Sequence, residues 1–278
     1  MAYKLLVLDI DDTLLTDEHV ISPKTKEALV KAQENGTKVV LASGRPTFGM
    51  WPLAEELELE KYGSFILSFN GGIITNCATK EVIYQNTLLP EMAHKLYDLS
   101  VRENVGIITY DDNKIISQKS NKYADLEAEM TGMEMVIVSD FKASVTENVA
   151  KCLMLAEPEH LEKVEAKLQK ELQGEMSVMR SKPFFLELTQ KNVNKGESLR
   201  VLLKTLNIEI SEMIACGDGN NDLEMIKVAG LGVAMGNAND GVKAAADYVT
   251  KSNNEDGIAH VIEKFILNAE QPKEAVTQ

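Results

Sequence analysis

The sequence predicts an α/β protein: a doubly wound parallel sheet with helices on both faces, interrupted midway by an inserted α+β domain. Apolar, branched-rich runs alternate with stretches of helical period at both ends of the chain, the pattern of strand–helix–strand units joined by right-handed crossovers. Between about residues 83 and 188 that rhythm gives way to short strand-like runs broken by helices. The 278 residues also exceed the roughly 150 typical of one domain. Two domains are expected: 1–82 with 189–278, and 83–188.

Residues 4–9 are an apolar run of the kind a parallel strand buried on both faces requires. In the helix that follows, Ser22 suits the N-cap and Pro23 the first helical position. Thr25, Ala28, Leu29 and Ala32 form an inward stripe, and Gly36 fits the stop. Thr37 to Ala42 reads as a second strand ending in Ser43-Gly44-Arg45-Pro46, residues 47–58 as a helix, and Ser64 to Phe69 as a third strand. In the insert, strands are expected at 105–109, 114–118, 149–156 and 184–188, with helices at 91–103 and 158–172. After Lys195 the first rhythm returns: a helix to Leu206, a strand Met213 to Cys216, a helix after Asn220, a strand Leu231 to Ala234 and a helix at 257–267. The tail after Asn268 reads as frayed, and no repeat or low-complexity segment is visible.

With 43 acidic against 29 basic residues the formal charge is -14, and no basic cluster offers a footprint for a phosphate backbone. Nucleic acid and anionic membranes are therefore not expected partners. Cys77, Cys152 and Cys216 are odd in number and show no metal-ligand spacing, which suits a reducing compartment. The N-terminal apolar stretch is cut short by Asp9, and no apolar run approaches membrane-span length. A cytoplasmic protein is expected.

Four polar clusters fall where strands end or helices begin: Asp9-Ile10-Asp11-Asp12-Thr13, Ser43-Gly44-Arg45, Asn194-Lys195-Gly196 and Gly217-Asp218-Gly219-Asn220-Asn221-Asp222. Loops after parallel strands gather at one edge of the sheet, so the fold brings such clusters together. Singly, each has a bland reading as a solvated cap, an ordinary turn or a helix start. Jointly they explain more. Carboxylates this close repel one another unless a cation holds them, and oxygen-only ligands without histidine or cysteine suit Mg²⁺. Ser43, the amides near Gly44 and Lys195 would add a hydroxyl, backbone donors and a point charge for a phosphoryl group.

In order and spacing, Asp9-x-Asp11-x-Thr13, Ser43, Lys195 and Gly217-Asp218-x-x-Asn221-Asp222 resemble the four motifs of the haloacid dehalogenase superfamily of phosphatases. The long insert, Phe69-Asn70-Gly71-Gly72, Phe185-Leu186-Glu187, the stretch Gly232 to Ala238 and the stretch Thr250 to Gly257 resemble its Cof-type sugar-phosphatase branch, so the likeness spans nearly the whole chain. The resemblance implies a Rossmann-like core under a cap and a phosphatase of small phosphorylated metabolites, sugar phosphates first. It makes Asp9 the nucleophile that forms an aspartyl-phosphate, and Asp11 the acid that protonates the leaving oxygen and later deprotonates water. It gives Mg²⁺ to Asp9, the Asp11 carbonyl and Asp218, with Asp222 behind them, and the phosphoryl oxygens to Ser43, Gly44, Lys195 and Asn221. Arg45 either adds charge or braces the Ser43 loop. Where many members have glycine this chain has Asp12, expected to cap the turn and point away. Arg180, Lys182, Phe184, Phe185 and Tyr110 are candidate cap residues facing the substrate. Asn70-Gly71 reads equally as a tight turn or as a polar contact near the phosphate, and Met130, Met133 and Met135 as packing.

Two other functions fit part of this pattern. A mutase or transferase would pass the phosphoryl group to an acceptor other than water. A phospho-accepting receiver module would share the acids, Mg²⁺, hydroxyl and lysine, but it needs an aspartate after the third strand, where this chain has Ser68-Phe69-Asn70-Gly71.

Overall fold

The computed structural model describes residues 3–268; the tail expected to fray lies outside the described residues. Two sheets organise the chain. The first contains β1 (Leu5–Leu8), β2 (Lys38–Ala42), β3 (Phe65–Ser68), β4 (Ile73–Asn76), β5 (Val82–Gln85), β12 (Met213–Gly217), β13 (Leu231–Ala234) and β14 (Tyr248–Val249), in the order β14-β13-β12-β1-β2-β3-β4-β5. Its strands are parallel except for β4 and β5, which pair antiparallel as an edge hairpin. The second sheet, ordered β10-β11-β9-β6-β7-β8, is formed by β6 (Gly106–Asp111), β7 (Lys114–Ser117), β8 (Glu134–Ile137), β9 (Lys151–Leu155), β10 (Met176–Lys182) and β11 (Phe185–Gln190). It is antiparallel except at the β7–β8 pair.

Helices α1 (Pro23–Glu34), α2 (Trp51–Glu56), α7 (Lys195–Leu206), α8 (Leu223–Val228), α9 (Asp240–Ala245) and α10 (Gly257–Ile262) accompany the first sheet. Helices α3 (Pro90–Arg102), α4 (Lys122–Thr131), α5 (Phe141–Ser144) and α6 (Pro158–Glu171) accompany the second. The α1 signals act as read: the Ser22 hydroxyl accepts the Thr25 amide, and Thr25, Ala28, Leu29 and Ala32 are buried. Leu5 to Leu8 are wholly buried in the centre of the first sheet. Burial on both faces is why this strand lacks polar alternation.

The chain departs from expectation in several places. The helix expected over 47–58 shrinks to a tight turn at Phe48–Met50 and α2, because Leu57 leaves helical geometry and Glu58 takes a φ of 53°. Residues 73–85 extend the first sheet as the β4–β5 hairpin, so the 82/83 boundary read from the sequence falls inside β5. In the insert, α4, β8 and β10 form without having been expected. β10 alternates buried and exposed residues, and its polar outer face hides it from a reading based on apolar runs. Met133 is buried and Met135 packs beside it, whereas Met130 is half exposed. Cys77, Cys152 and Cys216 are buried and free. No helix among the described residues is long and apolar enough to cross a membrane.

Close approach of α8 to β13 sets one steric limit on this layering. A Cβ on Gly232 would stand 2.3 Å from the Ile226 carbonyl oxygen and 2.8 Å from its Cγ2. Gly232→Ala is expected to lower stability by about 1–3 kcal/mol, the cost of overpacking against backbone. An unchanged urea midpoint would show that α8 yields freely.

Candidate active site

Because β12, β1, β2 and β3 are adjacent and parallel, the turns leaving them open at one edge of the sheet. The Asp9 amide donates to the Cys216 carbonyl at 3.0 Å, carrying the β1–β12 ladder one residue further and anchoring the backbone beneath a carboxylate that is itself buried. Lys195, the first residue of α7, is wholly buried. Its Nζ lies 2.5 Å from Asp9 Oδ1 and 2.5 Å from Asp222 Oδ1. The other Asp222 oxygen accepts the amides of Asp218 (3.1 Å) and Gly219 (2.9 Å). A Cβ on Gly217 would meet the Asp222 carboxyl carbon at 2.6 Å, so the strand end must be glycine for Asp222 to fold back. Thr13 Oγ1 donates to Asp218 Oδ1 at 2.8 Å.

Burial pushes the Asp9 carboxyl up to about 8, against the pull of Lys195 and with Asp222 and Asp218 adding to the rise. Burial likewise lifts Asp218 to about 6, opposed by the Thr13 hydrogen bond. Burial works against the Lys195 ammonium, but Asp9 and Asp222 overcome it and hold the proton on. Three carboxylates thus share one ammonium in a desolvated place, and the arrangement is short of positive charge. Carboxylate oxygens of Asp9, Asp218 and Asp222 come within 4.8 Å of one another, an all-oxygen set that suits Mg²⁺. Among the described residues, Asp9 and Asp218 each keep an oxygen without a hydrogen-bond partner. Asp222 has both in use, ordering Lys195 and the 218–219 amides, so it would stand behind an ion rather than bind it directly.

Asp11 and Asp12 are exposed. The Arg45 guanidinium grips Asp11 at both oxygens, Nε to Oδ2 at 3.0 Å and an NH₂ group to Oδ1 at 2.5 Å. The Arg45 backbone meanwhile braces the loop, its amide donating to Ser43 Oγ and its carbonyl accepting the Phe69 amide. The Arg45 side chain thus does neither of the two things expected of it: its charge is spent on Asp11, and the bracing of the Ser43 loop comes from its backbone. Asp12 has a φ of 60°, the left-handed region where glycine is at ease. Its carbonyl accepts Asn237 Nδ2 at 2.7 Å.

Ser43 is buried, and its carbonyl accepts the Asn70 amide at 2.9 Å. Residues 69–71 form a tight turn with φ positive throughout. Asn70 Oδ1 accepts Asn221 Nδ2 at 3.2 Å, and its carboxamide lies 3.0 Å from where a Gly44 side chain would begin. The turn reading of Asn70-Gly71 is the one observed, and the turn carries the amide to Gly44 and Asn221. Asn237 and Asn253 had no expected role. They tie the Asp9 turn to the last loop, through Asn253 Nδ2 to the Leu15 carbonyl and the Asn253 amide to Asn237 Oδ1.

Of the five expected cap residues, only Tyr110 lines the cavity of about 570 Å³ between the two sheets, which Thr47, Phe69 and Ala150 also line. Arg180 turns to α6 and pairs with Glu165 at 2.6 Å. Phe184 stacks on Tyr123, Phe185 is core, and Lys182 is exposed.

Residues 6–262 match the family of haloacid dehalogenase-like hydrolases. The 5-amino-6-(5-phospho-D-ribitylamino)uracil phosphatase YcsE of Bacillus subtilis is 31% identical, over 95% of this chain and 96% of that one. A haloacid dehalogenase-like hydrolase from Bacteroides thetaiotaomicron, known from its crystal structure, is 46% identical with a TM-score of 0.89 and covers 94% of this chain and 98% of its own. The subclass IIB sugar phosphatase BT4131 superposes with a TM-score of 0.75 at 28% identity, over 94% and 98%.

The raised Asp9 carboxyl has a measurable consequence. Between its ordinary value of 3.8 and about 8 the folded chain keeps a proton that the unfolded chain has released, so metal-free stability falls as pH rises through that window. A metal ion competes with that proton. Thermal melts should show Mg²⁺ stabilising more at about pH 8 than at about pH 5.5, by up to about 2.7 kcal/mol at a hundredfold excess over Kd. Equal increments at both pH values would mean that the cluster does not bind the ion.

Proposed function

The chain belongs to the haloacid dehalogenase-like hydrolase family and is a phosphatase, and from that premise we propose that it hydrolyses phosphomonoesters of small metabolites, sugar phosphates first, through a Mg²⁺-dependent aspartyl-phosphate in the cytoplasm. The observation that carries the proposal is the buried Asp9 carboxylate, held at one oxygen by Lys195 and, among the described residues, without a partner at the other. That other oxygen, Oδ2, attacks phosphorus as the bond to the leaving oxygen breaks, and Asp11 delivers the proton that the departing alkoxide needs. Asp11 then takes a proton from water, the water oxygen attacks the phosphoryl group, and Asp9 is released with inorganic phosphate.

Ser43 Oγ, the Gly44 amide and Asn221 are the donors for the phosphoryl oxygens, and Lys195 supplies fixed positive charge at the nucleophile. Mg²⁺, held by Asp9, the Asp11 carbonyl and Asp218, would screen the anionic nucleophile from the anionic phosphate. A protein of charge -14 attracts no phosphate at long range, so this charge must be local. The sugar reading is supported by the likeness to BT4131. The cytoplasmic reading is supported by three free buried thiols.

Release of inorganic phosphate from a panel of phosphorylated metabolites, with Mg²⁺ or with EDTA, tests the reaction and separates hydrolysis from transfer to another acceptor. Asp9→Asn is expected to remove at least about three orders of magnitude of kcat, since it removes the nucleophile; activity surviving either EDTA or this substitution would exclude the mechanism. Asp12→Gly is expected to keep most of the turnover at saturating Mg²⁺, because the position's left-handed backbone suits glycine and its carboxylate is exposed. A collapse of kcat in that variant would place Asp12 in the chemistry.

A further inference from the structure

Alternation along β9 and β11 gives the second sheet two unlike faces. Cys152, Met154, Leu186 and Leu188 join the cluster with α3 and α6. Leu153, Leu155 and Phe185 turn the other way and cluster with Phe69, from the turn after β3. Lys151 and Glu187 lie on this second face, diagonal to one another two residues apart in the β9–β11 register.

Lys151 is 5% exposed, and its Nζ donates to Glu187 Oε1 at 3.0 Å. The ammonium stands 5.4 Å from the Tyr110 ring centre and 6.0 Å from that of Phe69, two rings that meet edge to face. Tyr110 does not return a hydrogen bond, because its hydroxyl donates to the buried Glu127 at 2.6 Å. Among the described residues Glu187 is the one hydrogen-bond acceptor of Lys151 Nζ, and two of its three N–H groups have none. Leaving charged donors unmatched in so dry a place is costly. Phe69 directly precedes Asn70, which contacts Asn221 and the Ser43–Gly44 loop. Phe69 and Tyr110 also line the cavity between the two sheets, so the Lys151 ammonium adjoins both that cavity and the turn that reaches Asn221.

We propose that Lys151 and Glu187 are specificity-determining residues that hydrogen-bond adjacent hydroxyls of an uncharged polyol leaving group whose C–H face lies on Phe69 and Tyr110. The inference deepens the phosphatase reading above and rests on it. An ammonium beside a carboxylate satisfies a hydroxyl as acceptor and its neighbour as donor, a pairing that an apolar leaving group cannot use. A second anionic group is disfavoured, because the charged residues lining the adjoining cavity are Glu55, Asp111, Asp112 and Lys80, and Lys80 is already paired with Glu60.

The test is the ratio of kcat/KM for a hexose 6-phosphate to that for p-nitrophenyl phosphate, with Mg²⁺, in the wild-type chain, Lys151→Met, Glu187→Gln and the double variant K151M/E187M. The double variant removes both charges together, which avoids the lone buried ion that unfolds single variants. The ratio is expected to fall about 10–100-fold in each variant, the effect of losing a charged hydrogen bond to substrate, with wild-type thermal melting retained in the double variant. Wild type should also prefer the hexose monophosphate to the hexose bisphosphate. A ratio unchanged in folded variants, or a preference for the bisphosphate, overturns the inference and leaves the phosphatase reading standing. Failure of wild type to release phosphate from either compound overturns that reading, and the inference with it.

Discussion

A single ammonium, fully buried, holds the site together. Lys195 reaches from the start of α7 to Asp9 at the end of β1 and to Asp222 beyond β12, joining elements that are far apart in sequence. Removing one partner from such a pair typically costs about 3–5 kcal/mol, because the remaining charge stays buried. The geometry of the turns depends on that constraint. With Lys195 on Asp222 Oδ1, the other oxygen is left to order the Asp218 and Gly219 amides, and Asp218 is aimed back at Thr13.

Lys195 cannot neutralise the site alone. Asp9 and Asp218 both carry carboxyls raised by burial, so the fold tolerates this density of acid only by keeping protons or by admitting a cation. The same shortage suits the chemistry: a phosphate dianion approaches an aspartate only where positive charge has been set in place beforehand. Stability and the proposed function thus pull in opposite directions here, and the strain rests on Asp9, the group proposed to react.

Above the turns, the second sheet repeats the theme in a milder form. Lys151 is buried against aromatic rings with, among the described residues, one carboxylate as its acceptor. One buried lysine holds the proposed nucleophile, and the other is the one proposed to meet the rest of the substrate. The Phe69–Asn70–Gly71 turn lies between them, one residue packing under the second sheet and the next touching Asn221.

Much of this was legible in the chain. The apolar runs identified the central strands, Ser22 and Pro23 began α1, and the four polar clusters converged as the parallel topology requires. Such features are local, set by period, caps and strand ends. The β4–β5 hairpin, β8 and β10 escaped because short or half-polar strands owe their form to neighbours in the sheet. The guanidinium of Arg45 on Asp11, the double use of Asp222 and the turning of Arg180 toward α6 were equally invisible. Nothing in the sequence around Lys151 marks it as a buried charge. Residue type and period dictate which chemical groups this protein owns and at which strand ends they stand. Tertiary structure alone decided which partner each group faces, because side-chain direction depends on register, on pleat and on how the two sheets meet.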